Sequence, residues 1–293
     1  MVGVINPVVR FFKAAVREAG AFFFCKRVAA FFIVWLFYLY IFMSPIREVA
    51  VKMNYPATPW GILFAFSGLY FNLIFIVGAI YLYARVPFME RWQMYQLIRL
   101  GRQKWIGIQI FKIVAASFLY TAAVLASGVL IMMPHLEWKA DWGKLYHTLA
   151  LTNVQDEIDL GFFVSYRLIN DYEPAKLMLI SALVFFLVVS FIGLTMFLIS
   201  LCFSRAVSVI MATSLAIAEI AVENAGRRMQ RVMVHFIPTE WIKISKAGTK
   251  NIMGILSPDF DDIMIRLFII VLILMILIYL AGSRVSYNFY GEE

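Results

Sequence analysis

The sequence predicts an all-α membrane protein with six transmembrane helices, and three observations predict it. Of its 293 residues, 63% are hydrophobic and 15% are charged, with a mean hydropathy of +0.83. A water-soluble chain of this length has no interior large enough to hide so much apolar side chain. The apolar residues fall into six runs, each near the roughly 20 residues that a helix rising about 1.5 Å per residue needs to cross the hydrocarbon. The 7 Trp and 14 Tyr gather near the ends of those runs, where an apolar ring with a polar tip suits the headgroup layer.

Taken in order, the first run, 28–43, follows Lys26 and Arg27 and stops at Ser44 and Pro45. The second, 61–84, lies between Pro59-Trp60 and Arg85, and the third, 105–133, ends at Pro134. The fourth, 176–203, and the fifth, 206–222, are separated only by Ser204 and Arg205, which makes a tight hairpin. The sixth is 263–282. Ahead of the first run, Phe11, Phe12, Ala15, Val16 and Ala19 can share one helical face while Arg10, Lys13 and Arg17 fall elsewhere. An interfacial helix within 1–27, lying in the inner headgroup layer, accounts for that pattern; the alternative is that the first span continues into the cytoplasm. The same basic residues interrupt the apolar ones too often for a cleaved signal. Without repeats, linkers or low-complexity tracts, residues 1–293 read as one membrane domain with outer segments at 134–175 and 223–262. In the second of these, Lys243, Lys246 and Lys250 are too polar to span, and Phe236, Ile237, Trp241, Ile242 and Ile244 too apolar for a free loop. Short helices dipping into the outer interface are expected over 232–255.

Orientation rests on the basic residues. With the N-terminus inside, the inner segments hold 12 Lys/Arg against 4 Asp/Glu and the longer outer ones 13 against 13. The higher basic density, and the five basic residues before the first span, put both termini in the cytoplasm. Arg227, Arg228 and Arg231 form a basic cluster that this arrangement leaves outside. The formal charge of +8 sits in short loops between apolar runs, which points to the anionic leaflet and not to nucleic acid.

Catalytic constellations are missing. No G-x-x-x-x-G-K-[ST], H-E-x-x-H or G-x-S-x-G occurs, and His135, His147 and His235 have no metal-ligand spacing. Cys25 and Cys202 read as buried free thiols. The expectation is a non-enzyme without metal or cofactor. Ionisable residues are sparse inside the runs: Glu219 near the outer end of the fifth, Lys112 about two turns into the third, and Arg266 beside Asp261 and Asp262 at the start of the sixth. Each is expected to snorkel or pair locally, which argues against a coupling-ion pathway.

The connection 85–104 stands out. After Pro87, residues 88–100 can form a short amphipathic helix with Met94, Leu97 and Ile98 as its apolar stripe and Glu90, Arg91 and Gln93 on its polar side. Gly101 ends it as a C-cap, and Arg102, Lys104 and Trp105 anchor the next span.

With these residues in view, the chain resembles the permease subunits of type-2 ATP-binding-cassette exporters over most of its length. The resemblance is carried by Glu90 followed by Leu97-Ile-Arg99-Leu-Gly101-Arg102-Gln-Lys-Trp105, by the short turn Phe203-Ser-Arg205, and by Phe236-Ile-Pro238-Thr-Glu-Trp241 before the last span. It implies that 90–100 is a coupling helix docking into a groove of a separate ATPase subunit, through Glu90, Arg91, Met94, Leu97, Arg99 and Arg102. It also implies a second permease subunit, identical or related, a location in the bacterial plasma membrane, and outward transport of an amphipathic peptide, lipid-like molecule or drug. The outer loop 134–175 is longer and more acidic than many relatives carry. Two other classes compete. A secondary transporter or channel working without ATP predicts midplane charges or broken helices, and a membrane-embedded enzyme predicts acids or histidines gathered at one depth.

Overall fold

The fold is that of a computed structural model describing residues 16, 20, 25–86, 97–98, 101–152, 160–250 and 254–284. Nearly all of the expected interfacial helix in 1–27, and most of 85–104, lie outside the described residues. Among those described, helices and short turns account for the regular structure, apart from two isolated bridges.

The chain is membrane-embedded and helical. Four helices are long and apolar enough to cross a bilayer: α5 (Arg102–Met132), α8 (Pro174–Cys202), α9 (Arg205–Asn224) and α11 (Phe260–Arg284). Two bent pairs bring the number to six if each counts as one span. The first pair is α1 (Lys26–Phe42) with α2 (Ser44–Met53), bent by 44°, and the second is α3 (Ile62–Ala65), entered through the 3₁₀ turn Pro59–Gly61, with α4 (Leu69–Tyr83), bent by 94°.

The second pair corrects the expectation of one continuous helix over 61–84. At the break, Gly68 is extended and opens α4. The Ser67 hydroxyl donates to the Phe64 carbonyl and accepts from the Phe163 backbone N–H, at 2.7 and 2.8 Å. The Asn72 amide donates to the Phe66 carbonyl at 3.0 Å. Backbone groups that an unbroken helix would satisfy are thus met by side chains and by a distant loop, as lipid-embedded irregular backbone requires. The first pair corrects a second expectation: 44–53, read as loop, is a helix that begins with Pro45 in its first turn. Its C-cap is Asn54 at φ 51, a residue type that tolerates the left-handed conformation.

The spans alternate in direction, so the bundle has a loop-rich end, where Phe42, Met132, Pro174, Asn224 and Phe260 lie, and an opposite end with the short connections. At that opposite end only Phe203 and Ser204 separate α8 from α9, and the Ser204 hydroxyl caps α9 by accepting from the Val207 N–H at 3.3 Å. At about 1.5 Å per residue, the 31 residues of α5 reach about 46 Å, well beyond a roughly 30 Å hydrocarbon layer.

Helix α8 is the central post and packs on α4, α5, α9 and α11. Around it, Phe66 sits between Phe71 and Phe185 at centroid distances of 4.8 and 4.1 Å, and Trp35 lies 5.2 Å from Phe71. Two polar tips inside this aromatic core are matched: the Trp35 indole donates to Ser127 Oγ at 2.8 Å, and the Tyr120 hydroxyl to the Phe75 carbonyl at 2.9 Å. Small residues allow close approach where elements cross. At Gly128 of α5, an added Cβ would come within 2.6 Å of the Ile62 side chain, so α3 lies directly on that glycine.

The loop 134–175 contributes to the fold. Within it α6 (Gly143–Leu151) and α7 (Tyr166–Asp171) bury Leu145, Tyr146, Leu149, Leu168 and Ile169. Burial pushes the Tyr146 hydroxyl well above the usual tyrosine range. The cysteines also differ from expectation: Cys25 is half-buried and Cys202 exposed. On a lipid-facing helix a thiol gains its apolar surroundings from acyl chains, without a protein core.

Candidate functional site

Two carboxylates on α9 and three residues downstream form the most concentrated charge in the described structure. Glu219 and Glu223 are four residues apart and therefore share a face of α9. Beyond it, α10 (Arg227–Phe236) leads into the 3₁₀ turns Pro238–Ile242 and Ile244–Lys246. Here a three-residue spacing brings Glu240, Lys243 and Lys246 to one side of the strand of turns.

Lys243 is the hub. Its ammonium donates to Glu240 at 2.7 Å and to Glu223 at 2.9 Å, and Glu219 Oε1 lies 3.3 Å away. The side chains of Lys243 and Glu219 are both 0% exposed. Lys246, more accessible, donates to Glu223 and Glu240 at 3.0 and 3.3 Å. Among the described residues both oxygens of Glu219 are buried without a geometrically formed hydrogen bond, and the 3.3 Å ion pair with Lys243 is what meets their charge. Burial works against the Lys243 charge, and the carboxylates of Glu240 and Glu219 outweigh it, raising the ammonium above the ordinary lysine value of 10.5. The sign follows: the stabilisation from this lysine is fully present below that value and is lost only as pH rises past the higher folded one.

Neighbouring contacts hold the cluster in register. The Trp241 indole donates to the Val234 carbonyl at 2.8 Å, and the Thr239 hydroxyl to the Leu215 carbonyl of α9 at 3.3 Å. The short helices expected in this segment are there, as the end of α10 and the two 3₁₀ turns, and residues 238–244 are buried within the protein. The arrangement can act as an ionic clamp, fastening a capping segment across the loop-rich end to the last turns of α9.

A second polar set faces the bundle interior: Asn72 on α4, Gln109, Lys112, Ser117 and Thr121 on α5, and Ser181 and Ser190 on α8 are buried. Among the described residues the Gln109 amide is enclosed without a hydrogen-bond partner. Snorkelling or local pairing is expected for each of the three ionisable residues of the spans, and Arg266 does pair locally, 3.9 Å from Asp262. For Glu219 local pairing fails, since its contact is Lys243, far along the chain, and Lys112 is buried inside the protein instead of reaching the headgroups.

Of the residues expected to contact an ATPase, Glu90, Arg91, Met94 and Arg99 lie outside the described residues. Leu97 is half-buried against the chain's own core, Ile98 is 73% exposed, and Arg102 is the exposed first residue of α5. Gly101 does end the preceding turn. Its N–H donates to the Leu97 carbonyl at 2.9 Å with φ at 81°, a left-handed conformation that glycine adopts freely.

Sequence reasoning missed the ionic cluster because Glu219 and Glu223 look like a like-charged pair until their partners are placed. The available signal was the matched spacing, E-x-x-x-E at the end of an apolar run and E-x-x-K-x-x-K in the following polar segment. Compared with protein-family models, with curated proteins and with solved structures, the chain matches none, and its site is read from its own geometry.

Proposed function

We propose that this chain is the membrane-spanning permease subunit of an ATP-driven exporter, moving an amphipathic substrate outward with energy supplied by a separate ATPase subunit. The observation that carries this reading is the junction at Gly101. The segment 85–104 joins α4 to α5, Leu97 rests on the bundle core, and the Leu97–Gly101 hydrogen bond ties the segment to α5. A partner pushing on that segment would push on a 31-residue helix running to the opposite end. A two-state bundle biased by such a push is the physical requirement for alternating access. In this reading the ionic clamp holds the outer side shut, and the loop-rich end faces outward.

Orientation is checked by labelling. A single cysteine introduced at position 96 should resist a membrane-impermeant thiol reagent in intact cells while one at position 157 reacts; the reverse pattern puts the termini outside.

A second reading is an ATP-independent carrier. It is favoured by the buried carboxylate of Glu219 and by the break between α3 and α4, both features of ion-coupled transport. Mild-detergent purification followed by reconstitution separates the two. The exporter reading expects an ATPase subunit to co-purify and substrate movement to need ATP. Movement driven by a proton gradient in vesicles holding this chain alone would establish the carrier.

A further inference from the structure

Helix α10 has a surface that the bundle leaves uncovered. At 3.6 residues per turn, Met229, Val232 and Phe236 fall within an arc of roughly 60°, with Arg228 beside them and Arg231 one step further round. The three apolar side chains are 62%, 55% and 77% exposed. The opposite face is pinned: Val234 is buried, its carbonyl takes the Trp241 indole, and the His235 carbonyl accepts from Arg266 of α11 at 3.4 Å. Arg227 turns toward Gly254. Arg228 and Arg231 are exposed and pair with no carboxylate among the described residues.

Position supplies the rest. Only Ala225 and Gly226, both extended, separate α10 from the end of α9, and its far end is bonded to the first turns of α11. The helix is thus held at the level where two spans leave the hydrocarbon. Water is a poor environment for three large aligned apolar side chains, whereas the boundary between acyl chains and headgroups suits them and the adjoining guanidinium groups together.

We propose that α10 is a lipid-docking element. Met229, Val232 and Phe236 enter the acyl boundary, and Arg228 and Arg231 bind the phosphates of anionic phospholipids in the leaflet at the loop-rich end. Arginine suits that role because its planar fork can meet two phosphate oxygens at once. The assignment holds whichever energy source drives the chain.

The test uses the full chain with Cys25→Ser and Cys202→Ser, carrying Val232→Cys labelled with bimane. It is reconstituted in phosphatidylcholine vesicles with phosphatidylglycerol as the minority lipid. Brominated phosphatidylcholine should quench the label and aqueous iodide should not. Quenching by iodide alone would make the stripe water-facing, and protection from both would mean a second copy covers it; either result overturns the proposal. In a second arm, phosphatidylglycerol retained relative to phosphatidylcholine after detergent extraction is measured by native mass spectrometry. It should fall about fivefold for each charge removed in Arg228→Gln and Arg231→Gln, and inorganic phosphate should not substitute for the lipid. Unchanged retention in both variants would overturn the charge half of the assignment.

Discussion

Replacing Lys243 with methionine should destabilise the folded chain by about 3–5 kcal/mol, the range for removing one partner from a buried ion pair. The substitution leaves Glu219, Glu223 and Glu240 with Lys246 as the remaining cation of the cluster, and that side chain is 41% exposed. Glu219 suffers most, because its oxygens are enclosed and Lys243 is its 3.3 Å neighbour. In nanodiscs the apparent melting temperature of Lys243→Met should drop by on the order of 10 °C, and protease should cut within 238–250 sooner than in the parent. The double variant Lys243→Met with Glu219→Gln removes the stranded charge and should recover a large part of the loss, since an uncharged buried group costs less than an unpaired carboxylate. If the single variant melts with the parent, the cluster is hydrated and does not clamp anything. Should the double variant fare worse than the single, Glu219 is not the group that Lys243 satisfies.

The second large effect concerns partner binding. On the exporter reading, Met94→Asp combined with Ile98→Asp should abolish co-purification of the ATPase while the chain still inserts and folds. Ile98 is chosen because it is 73% exposed, whereas Leu97 packs on the chain's own core and its loss would disturb the bundle. Two apolar side chains seated in a partner groove contribute roughly 3–6 kcal/mol, so binding should weaken by at least about a hundredfold before the cost of burying two carboxylates is added. Thermal stability in nanodiscs and thiol labelling at position 157 should match the parent. A variant that keeps its ATPase and its transport-stimulated ATP hydrolysis would sink the coupling assignment. A variant that changes only membrane attachment would show that 88–100 rests on headgroups.

Much of the helical framework was legible in the sequence because its cause is local. A run such as that in α8 is apolar on every face, so no arrangement in water could bury it, and Pro174 and Ser204 mark where α8 and α9 begin. Gly101 could be read as a C-cap for the same reason, since glycine alone enters the left-handed region at no steric cost. The break at 66–68 was not legible. Phe66, Ser67 and Gly68 are compatible with a continuing helix, and what ends it is Ser67 meeting Phe163 nearly a hundred residues away. Helix α2 was missed as well: Ile46, Val49 and Ala50 have helical spacing, but ten residues are too few to hold a helix alone and it is secured by burying that face.

The sequence by itself determined that the chain lives in lipid, where its four long helices begin and end to within a few residues, and that a polar, glycine-ended segment links α4 to α5. These follow from hydropathy and from backbone preferences that act over one or two turns. Only the tertiary structure decided that Glu219 and Glu223 meet Lys243 and Lys246, that 238–244 lies inside the protein, and that Met229, Val232 and Phe236 remain uncovered. Such facts depend on which distant surfaces meet. A charge reads the same in sequence whether it faces water or another charge, and only the fold brings the two together.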